Sequence, residues 1–244
     1  TAGRARTGIL MLEISVMQSG SKGNCYRVDN GSSPILLECG VEFRKIQKWL
    51  NFKVNEITSA WISHEHKDHS KAALDLMESG IDCYMSSGTA RELKLPEYHN
   101  RLHVIRAGEL VQAEGWVVLP FDARHDAAEP LGFLMQSGAD KLLYLTDSYY
   151  CKYSFVGLTH IMIECNYCKD ILDANCDSGL IHPKLRNRIM RSHFSLEHVK
   201  EFLGANDLRL VREIHLIHLS EDNADPERCR DEVQALTGIP TYIA

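Results

Sequence analysis

The 244-residue sequence lacks any apolar run close to the ~18 residues that a membrane-spanning helix requires. Residues 1–7 are basic, but the apolar core of a secretory signal peptide does not follow them. Low-complexity segments are absent too, and no repeat is visible beyond a weak two-fold alternation of strand-like and helix-like segments. We therefore expect a cytoplasmic protein that has no membrane partner.

Positive charge is scarce, because 27 Lys and Arg stand against 33 Asp and Glu, a formal net charge of −6. Broad non-specific binders of nucleic acid are usually basic, yet a few cations around one groove can hold a nucleic-acid backbone on an acidic protein. The eight cysteines are scattered, so we expect free thiols rather than a disulfide scaffold. Cys165 and Cys168 form a CxxC pair without the second pair that a zinc knuckle needs, since Cys176 stands alone. We interpret them as buried small side chains.

The hydrophobic content of 44% is sufficient for one large core. We expect a single domain over residues 11–244, with Met11 as the natural start and residues 1–10 as an extension outside the fold.

Strand and helix signals follow one another without a linker. Strands are predicted at residues 12–16, 26–28, 35–37, 57–63 and 81–85, with helices at 42–50 and from 70 to 79, before Gly80. Thr89 is predicted to cap a helix through residue 93. Further strands are predicted at 109–121, 132–136, 141–145, 161–164, 213–219 and 241–243, with helices at 196–203 and 226–236. Strands followed by helices, twice over, predict an α/β fold of two facing sheets with helices outside.

Three histidines and an aspartate fall within the six residues His64-Glu65-His66-Lys67-Asp68-His69. His64 and His66 are two apart at a strand end, so they point to the same side. Asp68 and His69 follow where the chain turns into a helix. Imidazole and carboxylate are ligands of zinc and similar divalent ions. A solvated polar loop is the alternative, but the spacing favours a metal site.

The pattern His-x-His-x-Asp-His resembles the signature of the metallo-β-lactamase fold superfamily of binuclear metal hydrolases. Residues 19–26, 125–133, 146–147 and 218–220 resemble one branch of it, the YycJ/WalJ-like single-domain proteins at the nuclease end of the superfamily. The resemblance implies a four-layer αββα sandwich.

The resemblance also implies two divalent metal ions, with Zn2+ preferred and Mn2+ as the alternative. It places one ion on His64, His66 and His125. It places the second on Asp68, His69 and His218, with Asp147 bridging the two. Taken singly, His125 or His218 would be interpreted as a hydrogen-bonded core histidine. Two ions of this kind make hydroxide available near neutral pH and polarise an ester oxygen.

Asp68 and His193 are the candidate catalytic residues. Asp68 supplies, with Asp147, the negative charge that keeps both cations together. The segment His193-Phe194-Ser195 resembles a motif of nuclease-like members, in which the histidine protonates the leaving oxygen. Alternatively, Ser195 simply caps the following helix and His193 is structural.

A basic helical stretch precedes His193 and is the candidate substrate-binding surface. Fixed cations beside a metal site suit phosphate oxygens, although a solvated helix face would look the same. These residues are Lys184, Arg186, Arg188 and Arg191.

Three positions depart from the family pattern. Glu38 stands where the family has Asp, which changes the support of the metal loop. Tyr167 and Cys168 stand where the branch has His and Asp.

The leading hypothesis is a binuclear metal phosphodiesterase, a DNA exonuclease or related nuclease, in which a metal-bridging hydroxide attacks phosphorus. The alternatives are a hydrolase of a thioester, lactone or β-lactam on the same fold, and a non-catalytic metal-stabilised binding protein. Oligomeric state is left open.

Overall fold

Two β-sheets packed face to face form the centre of the molecule, seen in a computed structural model that describes residues 12–244. Our expectations for residues 1–10 and for Met11 as the start lie outside the described residues. Within residues 12–244, no helix combines the length and the apolar character needed to cross a membrane.

The first sheet has six strands in chain order, of which β1 to β3 are antiparallel neighbours and β3 to β6 are parallel. Its strands are β1 (Glu13–Gln18), β2 (Cys25–Asp29), β3 (Ile35–Leu37), β4 (Ser59–Trp61), β5 (Asp82–Ser86) and β6 (Leu102–Ile105).

The second sheet has seven strands in the order β13-β12-β11-β10-β9-β8-β7, antiparallel from β7 to β10 and parallel from β10 to β13. Its strands are β7 (Val111–Ala113), β8 (Trp116–Asp122), β9 (Leu131–Ser137), β10 (Asp140–Leu145), β11 (His160–Glu164), β12 (Glu213–Ile217) and β13 (Thr241–Ile243).

The helices flank these sheets. Four of them, with a short 3-10 helix at Val54–Glu56, follow strands of the first sheet: α1 (Phe43–Trp49), α2 (Lys67–Ser70), α3 (Ala73–Glu78) and α4 (Ser87–Glu92). Four more follow strands of the second sheet: α5 (Lys169–Asp177), α6 (Pro183–Ser192), α7 (Leu196–Gly204) and α8 (Pro226–Thr237).

Alternation of side chains along the strands builds three apolar layers between four layers of structure. Leu37 and Trp61 of the first sheet meet Phe133 and Tyr144 of the second in the central layer. The neighbouring residues on the same strands face outward. Leu36 and Ala60 pack with Ile46 and Leu76 of the outer helices, and Leu143 and Ile161 pack with Val199 and Val233. The predicted αββα sandwich is confirmed.

Several local predictions were wrong. Residues 109–121 are two strands, because Glu114 and Gly115 adopt positive φ and turn the chain into a hairpin. Ser86 rather than Thr89 caps α4, since its hydroxyl accepts from the Thr89 amide at 3.1 Å. Strand β6 and helix α5 were not predicted at all. The cap that was weighed at Ser195 is present, and Asp225 caps α8; each side chain accepts an amide hydrogen bond from the first turn of its helix.

Candidate metal centre and active site

The histidines and carboxylates singled out in the sequence meet at one edge of the sandwich. The histidine-rich run follows β4, and Asp147 and His218 follow β10 and β12. Strands β10, β11 and β12 are parallel neighbours, so their carboxyl ends lie side by side. The side chains therefore project from the ends of rigid elements of both sheets.

The first cluster consists of His64, His66, His125 and Asp147, whose donor atoms all lie within 4.8 Å of one another. Nδ1 of His66 lies 3.1 Å from Nε2 of His64 and 3.2 Å from Nε2 of His125. Oδ2 of Asp147 lies 3.3 Å from Nε2 of His125 and 3.8 Å from Nε2 of His64.

The second cluster consists of Asp68, His69 and His218. Oδ2 of Asp68 lies 3.4 Å from Nε2 of both histidines. Asp147 turns its other oxygen to this cluster, with Oδ1 3.4 Å from Nε2 of His69 and 3.3 Å from Nδ1 of His218. The two oxygens of one buried carboxylate thus face two separate groups of imidazoles.

The donor set fits divalent cations. Imidazole nitrogens that converge at 3.1–3.2 Å repel one another unless a cation or a proton lies between them. Nδ1 of His125 donates to the Ser192 carbonyl at 2.9 Å, which leaves the Nε2 lone pair directed into the cluster. Nδ1 of His64 lies 2.9 Å from the Ser63 hydroxyl, which can accept from Nδ1 and so leave Nε2 of His64 with a free lone pair. Such outer partners fix the tautomer of a metal-binding histidine.

The charges of the buried groups agree with this interpretation. Burial lowers the pKa of His64 well below its usual value, which favours the neutral ligand form. Burial alone would raise the pKa of Asp147, but the imidazoles of His218 and His69 hold that pKa well below its usual range. The carboxylate between the clusters is therefore ionised, as a bridging ligand must be.

Backbone conformation at the site is unusual. Glu38, Asp147 and His218 follow β3, β10 and β12 with φ values of 60°, 38° and 54°, a left-handed region that side chains other than glycine rarely adopt. Such conformations cluster where function requires a fixed geometry. At Gly40, a Cβ atom would lie 1.7 Å from the Asp68 carbonyl oxygen, so only glycine allows this approach to the histidine-rich run.

Glu164, which sequence reasoning did not assign to the site, organises its second half. It is fully buried at the end of β11. Its Oε1 accepts from Nδ1 of His193 at 2.6 Å and from Nδ1 of His218 at 3.0 Å. The available signal was a glutamate that ends an otherwise apolar buried strand.

His193 lies beside the clusters, with Nδ1 3.9 Å from Oδ2 of Asp147. Burial alone would lower the pKa of His193, but the charge and hydrogen bond of Glu164 raise it above the usual value. Ser195 does cap α7. The cap at Ser195 leaves the His193 ring unoccupied, so it does not decide between the catalytic and the structural role weighed for His193.

The Glu38 departure has a visible structural consequence. Its buried carboxylate accepts from the Ser63 amide at 3.2 Å and from the Tyr144 hydroxyl at 3.0 Å. Nδ1 of His69 is 3.7 Å away from the Glu38 carboxylate and, within residues 12–244, has no hydrogen-bond partner.

The other two departures are not among the residues of the clusters. Tyr167 is buried and forms a β-bridge with Ser195. Cys168 is buried with its Sγ 3.6 Å from Sγ of Cys229. No disulfide forms among the described cysteines, and Cys165 and Cys168 are buried, as expected.

The basic residues of α6 differ in their surroundings. Nε of Arg186 donates to Asp173 at 2.6 Å, which ties its guanidinium to α5. Nε of Arg188 donates to Oδ2 of Asp126 at 2.9 Å, and Oδ1 of Asp126 lies 3.3 Å from Nε2 of His125. Arg188 is thus joined to the first cluster through Asp126. The remaining two, Lys184 and Arg191, are exposed.

Comparisons with known proteins agree with the fold. A family profile described as the beta-lactamase superfamily domain matches residues 34–204. The chain is 25% identical over 226 residues to exodeoxyribonuclease WalJ of Streptococcus pneumoniae, which covers 86% of this chain and 82% of the relative. It is 24% identical over 248 residues to exodeoxyribonuclease YycJ of Bacillus anthracis, covering 91% and 88%. The crystal structure of the metallo-β-lactamase fold protein YhfI from Bacillus subtilis superposes with a TM-score of 0.71 at 14% identity, covering 96% and 97%.

Proposed function

The chain belongs to the β-lactamase superfamily, and on that premise we propose that it is a binuclear metal-dependent phosphodiesterase that degrades DNA as an exonuclease. The observation that carries the proposal is the position of Asp147, whose two oxygens face two separate imidazole clusters. One carboxylate shared in this way is what a two-metal site requires.

The residues divide between two ions. His64, His66 and His125 would hold one, Asp68, His69 and His218 the other, and Asp147 both. A site of imidazoles and carboxylates suits Zn2+ and, as the alternative, Mn2+. When bound, the ions supply Lewis acidity for a phosphoryl oxygen and for the attacking water.

His193 is proposed to supply a proton to the leaving oxygen. Glu164 holds Nδ1 of His193 at 2.6 Å, so Nε2 is the atom left to hold the transferable proton. The raised pKa of His193 favours the protonated ring, which is the form that a general acid needs. Asp147 and Glu164, both buried, favour the return of that proton after each turnover.

DNA as the substrate is supported by the two exodeoxyribonucleases that align with most of the chain. Arg188 adds a local reason, because its guanidinium stands at the rim of the clusters with 64% of the side chain exposed. Arginine binds phosphate oxygens in a fixed planar geometry. The net charge of −6 predicts that binding depends on these few local cations rather than on a broad basic surface.

The test is a substrate panel with metal-reconstituted protein. We expect two ions per chain by elemental analysis and release of mononucleotides from single- or double-stranded DNA. RNA, bis-p-nitrophenyl phosphate and a β-lactam complete the panel, and the Asp147→Ala variant is the control for contaminating nucleases. If the protein hydrolyses the β-lactam and leaves DNA uncleaved, the proposal is overturned in favour of the alternative hydrolase.

A further inference from the structure

We propose that an aromatic cavity beside the clusters is a stacking pocket for one unpaired base of the nucleic-acid substrate, an inference that rests on the proposed function. The cavity has a volume of about 310 Å³, at the lower end of the range of small-ligand pockets. Its aromatic walls are Tyr149, Tyr150, Tyr153, Phe194, His198 and Phe202.

One carboxylate oxygen holds the backbone at two places on the cavity. The amides of Phe194, a wall residue, and of Ser148, which precedes the wall residue Tyr149, both donate to Oε2 of Glu164 at 3.0 Å. The other oxygen of Glu164 holds His193. The wall residue Phe194 is therefore the chain neighbour of the proposed proton donor His193, so a base bound in the cavity would belong to a nucleotide near the cleaved phosphodiester.

The aromatic loop, residues 149–153 of the cavity wall, is also joined to the first cluster. Its residues follow Asp147 directly, and the Tyr149 amide donates to the Arg124 carbonyl at 3.0 Å. The Arg124 amide in turn donates to the Ser148 hydroxyl at 2.9 Å, and Arg124 immediately precedes His125. The loop is thus held on both sides by segments that carry candidate metal ligands.

The exposure of the two tyrosines favours a flat aromatic occupant. Tyr149 is 41% exposed and Tyr150 is 57% exposed, although both line a cavity. The cavity also presents the polar side chains of His198 and Glu201 beside its apolar walls. A nucleobase combines an aromatic face with hydrogen-bonding edges, and it stacks on aromatic side chains with little regard to sequence. Lys152 also lines the cavity, with Nζ 4.9 Å from the centre of the Tyr153 ring and 3.5 Å from Oδ2 of Asp122, and provides a cation that suits an attached phosphate.

The test compares intact and abasic oligonucleotides. Short oligothymidylates with phosphorothioate linkages, which resist cleavage, are bound to the metal-loaded protein with and without an abasic residue at either end. We expect the abasic residue at one end to weaken binding roughly 5- to 150-fold, the range of one base–aromatic stack. The double variant Tyr149→Ala/Tyr150→Ala should bind the intact oligonucleotide as weakly as the wild type binds the abasic one, and it should bind the intact and abasic oligonucleotides equally. The double variant Tyr149→Phe/Tyr150→Phe should behave like the wild type. Tyr98→Ala, at a tyrosine that is 95% exposed outside the cavity, is the matched control.

Two outcomes separate this inference from the proposed function. If the wild type hydrolyses methyl p-nitrophenyl phosphate but binds intact and abasic oligonucleotides equally, the stacking pocket is refuted and the phosphodiesterase stands. If the metal-loaded wild type hydrolyses neither this diester nor DNA, the proposed function itself fails. A double Ala variant that remains fully sensitive to the abasic residue would place the base elsewhere on the protein and refute the pocket.

Discussion

Replacing Glu164 by glutamine should weaken metal binding while leaving the fold intact. The buried carboxylate accepts four hydrogen bonds, two from imidazoles through Oε1 and two from backbone amides through Oε2. Glutamine keeps the shape of the side chain but offers only one acceptor oxygen. The side-chain NH2 of the glutamine must therefore face either the imidazoles or the backbone N–H groups.

The magnitudes decide between these two orientations. If the amide group faced the backbone, two buried N–H donors would be left without an acceptor at about 1–3 kcal/mol each, or about 2–6 kcal/mol together. If it faces the imidazoles, His193 and His218 can change tautomer and accept at Nδ1, so no donor is left unpaired. We therefore expect the side-chain NH2 to face the imidazoles. This orientation moves a proton to Nε2 of His218, the atom 3.4 Å from Asp68, and takes away the lone pair that would bind the metal.

We therefore expect Glu164→Gln to unfold in urea close to the wild-type midpoint and to bind metal about 10- to 100-fold more weakly, the usual effect of losing an outer partner of a ligand. The measurement is competition for Zn2+ against a chromogenic chelator. Glu213→Gln is the matched control, because Glu213 accepts from His215 at 3.1 Å at the far end of β12, roughly 16 Å along the strand from His218. Unchanged metal affinity in Glu164→Gln would refute the tautomer argument.

Three further predictions concern the proton donor, the bridge and the basic residues. His193→Ala should retain both ions but lose turnover on DNA on the order of 10²–10⁴-fold, with a smaller loss on a nitrophenyl ester whose leaving group needs no proton; equal losses would mean that His193 only supports the site. Asp147→Ala should retain less metal than His218→Ala in elemental analysis, since Asp147 faces both clusters; the reverse order would remove Asp147 from the bridging position. Three cations can share one face of α6, namely Lys184, Arg188 and Arg191, and replacing them with alanine should weaken DNA binding. The salt dependence of binding should flatten by about one unit of log-log slope for each phosphate that is no longer neutralised. An unchanged slope would assign these residues to a solvated surface. Arg186→Ala is the control, because Arg186 cannot share that face of α6 and its guanidinium is tied to Asp173 of α5.

The fold could be predicted from the sequence where the hydrophobic pattern of the chain is pronounced. Strands such as β10 and β12 are nearly continuous apolar runs that end at a polar ligand, and their positions were predicted within a few residues. The hairpin within 109–121 was missed because Glu114 adopts positive φ, which its residue type does not indicate. Strand β6 was missed because its residues are only partly buried and include His103, so no apolar run marks it.

The candidate site could likewise be predicted from the sequence only in part. The histidine-rich run has a fixed spacing that can be recognised in one segment, and the structure brings all seven candidate ligands together. The partners of those ligands come from segments distant in sequence, so spacing cannot reveal them. Glu164 and His193 are 29 residues apart, and Glu38 and Tyr144 are 106 apart. Such pairs depend on the order of strands in the sheets, which the spacing of residues within one segment does not specify.

Glu38 shows how one methylene redistributes support at such a site. The side chain leaves a 3.7 Å gap to Nδ1 of His69 and instead holds the Ser63 amide and the Tyr144 hydroxyl. Glu38 and Ser63 follow strands of the first sheet, whereas Tyr144 belongs to β10 of the second, so the carboxylate joins the two sheets beneath the clusters. Within residues 12–244, Nδ1 of His69 has no hydrogen-bond partner, whereas Nδ1 of His125 and of His218 each have one. The His69 ring is fully buried, and its Nε2 lies 3.2 Å from the Asn24 side-chain amide and 3.4 Å from the carboxylates of Asp68 and Asp147, so packing and these neighbours orient this ligand rather than an outer hydrogen bond.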